Sequence, residues 1–194
     1  MTPILKSWTL TPGAMTLADL RAVWSWAAPA TLNLAAEAYG VIEASAAAVR
    51  AIVAKGDAAY GINTGFGLLA KTRIPDEKLE QLQRNLILSH SVGTGELLSD
   101  AVVRLIMLMK IGSLARGYSG VRPLIVDTLI ALYNAGIMPA IPAKGSVGAS
   151  GDLAPLSHMT LAMLGVGEVR VNGELMAAPE ALAQAGIAAV VLAA

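Results

Sequence analysis

The sequence predicts a mainly α-helical fold trimmed by one small β-hairpin, and three observations carry that expectation. Hydrophobic residues make up 55% of the chain and aromatics only 4%, with alanine, leucine and methionine dominant, a balance that favours packed helices over a sheet core. Helix starts and stops are punctuated by capping residues, prolines and glycines at helical spacings. Alternating strand segments joined by a turn dipeptide occur convincingly once.

Taken in order, "TLAD" at Thr16 to Asp19 has the form of a capping box with the shorter acid in last place, which starts a helix running to about Ala27. "VIEASAAAVRAIVAKG" predicts a helix from near Val41, with Gly56 placed for the left-handed stop. Pro75 precedes "DEKLEQLQRNLIL", where acids occupy the first turn and Leu79, Leu82 and Leu86 share one face. A fourth helix begins at Asp100 and stops near Gly117, and a fifth begins near Pro123 and stops at Gly136. "LAPLSHMTLAML" follows as a helix that Asp152 is placed to cap. In "EVRVNGELM", residues 168–176, Asn172-Gly173 offers a type I′ turn between two short strands.

At 194 residues, with no repeat, low-complexity tract or dividing linker, the chain reads as a single domain over 1–194. Fourteen basic and fourteen acidic side chains cancel, which leaves no electrostatic footprint for nucleic acid or an anionic membrane. No apolar run reaches the roughly 20 residues of a membrane-spanning helix, and the first residues lack the pattern of a secretory signal. The absence of cysteine fits a reducing cytoplasm and removes disulfides and thiolate metal sites. After "APEALAQAGIAAVVLAA" the sequence stops at Ala194 on an apolar segment. That ending is either a frayed terminal helix or, as the mean hydropathy of +0.61 favours, the point where the front part of a longer protein has been cut.

Three glycine-rich loops interrupt the helices: "YGINTGFG" at 60–67, "SHSVGTGE" at 89–96 and "KGSVGASGDLAPLSHM" at 144–159. None has the spacing of a phosphate cradle or a dinucleotide fingerprint, and glycines by themselves only let loops turn tightly. Two of the loops hold the chain's two histidines, His90 and His158. Within the third, Ala149-Ser150-Gly151 suggests backbone chemistry. An amide nitrogen can attack the carbonyl two residues earlier when the chain bends hard and nothing blocks the approach. Gly151 supplies an unhindered nitrogen, Ala149 an unencumbered carbonyl, and Ser150 a hydroxyl that can leave to form an exocyclic double bond. The product is a conjugated imidazolone, an electrophile. Asp152 is positioned both to cap the next helix and to shuttle protons during cyclisation.

"GSVGASGDLAPLSHM" resembles, nearly residue for residue, the signature of the aromatic amino acid ammonia-lyases, and "AYGINTGFG", "LILSHSVGTGE", "KIGSLARGYSGVR" and the hairpin extend the resemblance over essentially the whole chain. It implies the N-terminal domain of the family's helical, fumarase/aspartase-like fold. It also implies an MIO group (4-methylideneimidazol-5-one) formed from Ala149, Ser150 and Gly151, with no metal. Two histidines this far apart, without an acidic cluster, have no ligand spacing in any case.

Tyr60 matches the family's base for the substrate β-proton, a role that needs positive potential nearby, such as converging helix N-termini. Ser89 and His90 match the pair that faces the substrate ring, and Ser-His resembles the histidine-directed members; Gly67, closing the first loop, falls on the same substrate side. His158 reads as a bonded structural histidine. The implied reaction is non-oxidative deamination of L-histidine to trans-urocanate and ammonia. The alternatives are tyrosine or phenylalanine as substrate, an aminomutase outcome, or a catalytically silent domain. The family's N-G-T asparagine, carboxylate-gripping arginine, second tyrosine, acid and tetramer-forming helices have no counterpart before Ala194, so the expectation is a piece inactive by itself from a homotetrameric enzyme.

Overall fold

The computed structural model describes residues 7–25 and 30–193. Helices dominate, and their order follows the sequence punctuation. α1 spans Leu17–Ser25 behind a complete capping box: the Thr16 amide and hydroxyl donate to Asp19 Oδ2 at 2.8 and 2.7 Å, and the Asp19 amide donates back to Thr16 Oγ1 at 3.2 Å. The predicted end of this helix at Ala27 lies outside the described residues. α2, Ala38–Lys55, starts three residues before Val41 and ends at Gly56, whose φ of 77° lets its amide donate to the Val53 carbonyl at 3.0 Å.

α3, Leu79–His90, is entered through a single 3-10 turn, Asp76–Lys78, because Pro75 is extended and Lys78, with ψ of −2°, turns the chain before the helix proper begins. Leu79 is fully buried at its start; Leu82 and Leu86 are half-buried on the same face.

α4, Asp100–Leu114, and α5, Pro123–Asn134, pack together and carry the centre of the core, in which Met107, Leu108, Ile111, Leu129, Leu132 and Tyr133 are completely buried. Each of the leucine, isoleucine and methionine side chains among them contributes about 1.5–3 kcal/mol of hydrophobic stabilisation. α6, Leu153–Met163, packs on α3 and α5, and α7, Ala178–Ala185, covers the far side.

The hairpin forms as expected, β6 Glu168–Val171 with β7 Glu174–Ala177, and its turn residues Asn172 and Gly173 have φ of 52° and 87°. The expectation of a single strand pairing is corrected by further strands. β4, Ile137–Pro139, extends the hairpin into three strands; β1, Ser7–Leu10, pairs in parallel with β2, Thr31–Leu34; and β3, Thr94–Leu97, pairs antiparallel with β5, Pro142–Lys144. These strands are three or four residues long and their partners are distant in sequence, so no local alternation marks them. β2 is also held from the side: its Leu32 amide and carbonyl bond the Asn134 side-chain amide at 2.7 and 2.9 Å, at the end of α5.

Candidate active site

The β3–β5 pair brings two of the glycine loops to one edge of the helical body. Thr94 faces Lys144 and Leu97 faces Pro142, so the loop that follows α3 and the loop that precedes α6 run side by side. At their crossing a Cβ on Gly145 would lie 3.0 Å from Gly93 Cα, and the Gly93 amide donates to His158 Nε2 at 3.0 Å. Glycine is required here by close approach of backbones. His158 is half-buried, and that burial pushes its pKa down, consistent with a ring used as an acceptor. The expectation of a bonded structural histidine is met.

The exposed bend at 146–151 is a tight 3-10 turn over Gly148–Ser150, closed by hydrogen bonds to the Val147 carbonyl, which accepts from the Ser150 amide at 2.9 Å, the Ser150 hydroxyl at 2.8 Å and the Asp152 amide at 3.3 Å. Gly151 then takes φ of 84°, with open space around the position of a Cβ, and its amide donates to the Gly148 carbonyl at 3.1 Å. Asp152 follows in the same left-handed region, φ 58°, at a cost of about 1 kcal/mol for a non-glycine residue.

This conformation corrects the predicted cap. Asp152 stands at the start of α6 and its carbonyl accepts from the Leu156 amide at 3.2 Å, but its side chain makes no capping bond. The carboxylate instead accepts from the Ser146 hydroxyl at 2.5 Å, because the left-handed backbone turns it toward the loop and away from the helix amides. Ser146 was silent in the sequence. Both residues, with Gly151, line a cavity of about 420 Å³ whose other wall, on α4, carries Ile106 and Met109 together with Lys110 and Ser113.

Ser89 and His90 close α3. The Ser89 hydroxyl donates to the Leu86 carbonyl at 3.1 Å, and His90 Nδ1 lies 2.8 Å from the same oxygen. Ser89 Oγ also lies 3.1 Å from Nδ1; since a carbonyl only accepts, the Leu86 contact places a proton on Nδ1, and in the neutral ring Nε2 then carries the lone pair.

The third loop is built separately. Asn63, fully buried, accepts from the Ala59 amide at 2.7 Å and donates to the Asp57 carbonyl at 2.9 Å, and Thr64 bridges to Arg73. Tyr60 is 67% exposed and stacks edge-on against Phe66, with ring centroids 5.7 Å apart. Gly67, φ 58°, opens the 3-10 turn Gly67–Leu69. Tyr60 and the Ser89-His90 pair do not line the cavity beside the bend, whereas Gly61 and Ile62 of the first loop line a second cavity together with Met159, Thr160 and Met163 of α6. Asn63, which holds the first loop in shape, was not singled out by sequence reasoning; its only local signal is the polar residue inside the "YGINTGFG" motif.

Among the described residues no helix is long and apolar enough to cross a membrane, and no cluster of three or more metal-ligating side chains occurs.

Residues 15–194 match the family model "Aromatic amino acid lyase". Over 190 residues the chain is 57% identical to histidine ammonia-lyase of Salmonella heidelberg (strain SL476), covering 98% of this chain and 37% of that protein. The chain therefore spans little more than a third of the length of such relatives. Among solved structures, histidine ammonia-lyase from Trypanosoma cruzi superimposes with a TM-score of 0.80 at 36% identity, covering 90% of this chain and 34% of that one. Phenylalanine aminomutase of Pantoea agglomerans gives 0.86 at 32% identity, covering 97% and 36%. Ergothionase from Treponema denticola gives 0.91 at 27% identity, covering 97% and 37%.

Proposed function

The chain belongs to the aromatic amino acid lyase family, and from that premise we propose that it serves the non-oxidative deamination of L-histidine to trans-urocanate and ammonia. The observation that carries the choice of substrate is the Ser89-His90 pair in a chain 57% identical to histidine ammonia-lyase. His90 Nδ1 is occupied by the Leu86 carbonyl, so Nε2 is the ring nitrogen left to exchange a hydrogen bond with a substrate imidazole, which a leucine at that position could not do.

In this reading Ala149, Ser150 and Gly151 form the imidazolone. The Gly151 nitrogen bonds to the Ala149 carbonyl carbon, the carbonyl oxygen leaves as water, and Ser150 loses its hydroxyl with its Cα proton as a second water. The bend supports the proposal: the 3-10 turn is tight, the space around Gly151 is open, and Ala149 and Ser150 are exposed. The Gly151–Gly148 hydrogen bond has to open before the nitrogen can attack. Asp152, its carboxylate steadied by Ser146, is the nearby group that shuttles protons during closure. The chemistry such a group supplies is an electrophile that none of the twenty side chains provides, which eases departure of the amine.

Tyr60 removes the β-proton, and Ser89, His90 and Gly67 bound the substrate. Because the bend and Tyr60 are both exposed, the reaction calls for more protein than one copy of this chain, which agrees with a single lyase domain, 1–194, working in a cytoplasmic homotetramer.

The test uses the full-length protein. Its intact mass should fall about 36 Da below the encoded value, the loss of two waters, and it should deaminate L-histidine in preference to L-tyrosine and L-phenylalanine. Ser150→Ala should abolish both the mass deficit and turnover. Preference for tyrosine or phenylalanine, a β-amino acid product, or full activity in Ser150→Ala would overturn the reading.

A further inference from the structure

His158 sits where two backbones cross. Its Nε2 accepts from the Gly93 amide at 3.0 Å, a contact between residues 65 positions apart. A Cβ on Gly93 would stand 3.1 Å from that nitrogen and 3.2 Å from Pro142 Cβ, and one on Gly145 would stand 3.0 Å from Gly93 Cα and 3.4 Å from Ala154 Cβ. Gly93 follows the Ser89-His90 pair by three residues, and Gly145 precedes the Ala149-Ser150-Gly151 bend by four.

The strand ladder between these loops does not define their relative position alone. Thr94 faces Lys144 and Leu97 faces Pro142 with a register shift between them; the Leu98 amide donates to the buried Ile141 carbonyl at 2.8 Å and secures the far end, while the Gly93 end lies beyond the last pair. A short, irregular ladder can slide, and a slide of one residue would turn every side chain on it over. Something outside the ladder has to pin the Gly93 end.

We propose that His158 is a positioning residue: by holding the Gly93 amide on an unprotonated Nε2, it sets the placement of the Ser89-His90 pair relative to the Ala149-Ser150-Gly151 bend. The inference rests on reading those two segments as parts of one site. The bond demands that the ring carry its proton on Nδ1. The half-buried place of the ring on α6, which lowers its affinity for a second proton, favours that neutral form. A side chain that merely filled space on α6 would need neither the acceptor nor the glycine opposite it.

The experiment uses the full-length protein and three variants. In His158→Leu the Gly93 amide should exchange with solvent at least about fivefold faster than in the wild type, as expected for loss of one hydrogen bond. Turnover of L-histidine should fall at least about tenfold while the two-water mass deficit stays, because the bend itself is intact. His158→Gln, whose carbonyl can reach the same amide, should recover both to within about threefold. Nitrogen-15 spectra of the wild-type ring should report the Nδ1-protonated tautomer.

Unchanged Gly93 exchange in His158→Leu, or faster exchange with kcat and KM both unaltered, overturns the proposal. Should His158→Leu fail to fold, Gly93→Ala decides it, since the added methyl forces the backbone off Nε2 and must reproduce the loss of turnover; normal kcat there overturns it equally. A wild-type protein that does not act on L-histidine sinks the proposed function instead, and the Gly93 exchange and tautomer measurements still decide whether the latch exists.

Discussion

His90 derives its chemical direction from the end of its own helix, where Nδ1 meets the Leu86 carbonyl and the Ser89 hydroxyl. With Nδ1 2.8 Å from the Leu86 carbonyl, one donor is spent internally, so the neutral ring is held to the tautomer whose acceptor is Nε2, which the word "histidine" in a sequence does not specify. Tyr60, whose ring rests edge-on against Phe66, has its hydroxyl on an exposed turn. In the proposed role that hydroxyl is the base. Tyr60→Phe keeps the ring contact and removes only the oxygen, so kcat on L-histidine in the full-length protein should fall by about 10²- to 10⁴-fold with the mass deficit unchanged, as steady-state kinetics and intact-mass measurement will show. Both residues, like Ala149, Ser150 and Gly151, could be proposed from sequence because the proposed chemistry depends on which side chain occupies a motif. The partner of Asp152 could not: that depends on a φ of 58°, which no neighbouring residue announces, and it turns the carboxylate to Ser146.

At the scale of elements, helices were readable and strands mostly were not. A helix is closed by bonds between residues four apart, so its caps and stops lie inside the window that sequence reading uses, as Thr16, Asp19, Gly56 and Gly136 illustrate. The β1–β2 and β3–β5 pairs join segments far apart in the chain, and their short strands carry no periodicity of their own. Glycines outside the loops divide in the same way. Gly136 has φ of 67° with open space around it, whereas Gly117, φ 74°, would place a Cβ 2.6 Å from the Val41 carbonyl of α2. Gly136→Ala should cost about 1 kcal/mol, from backbone strain alone. Gly117→Ala should cost at least about 2 kcal/mol more, because strain is joined by overpacking against a backbone atom. Urea titration of the two variants checks the order, and equal costs would refute the tight approach of this loop to α2.

For the molecule as a whole, pH reports on the crossing at His158. Burial lowers the His158 pKa below its ordinary 6.5 in the folded state, so between that lowered value and 6.5 the unfolded chain binds more protons than the folded one. Stability contributed by the neutral ring is therefore complete above 6.5 and is lost as pH falls through the window beneath it. Asp19, held down chiefly by the Thr16 hydroxyl, acts in the same direction only below its ordinary 3.8. Urea midpoints measured from about pH 8 to about pH 5 should decline more steeply for the wild type than for His158→Gln, which has no proton to gain in that range. Parallel curves would show that the ring is not buried as a neutral acceptor.

The sequence by itself determined the helical class, the extents of most helices, the hairpin turn and the segments proposed as reactive, because each of these is encoded within a few consecutive residues. Only the tertiary structure decided which segments meet. Gly93 reaches Gly145 and His158, and Leu32 of β2 is held by Asn134 at the end of α5, and both outcomes are set by how the helices and short strands pack. The physical reason is range: side-chain identity and local dihedral preference act over about one helical turn, whereas the meeting of distant backbones depends on the fit of the whole core between them.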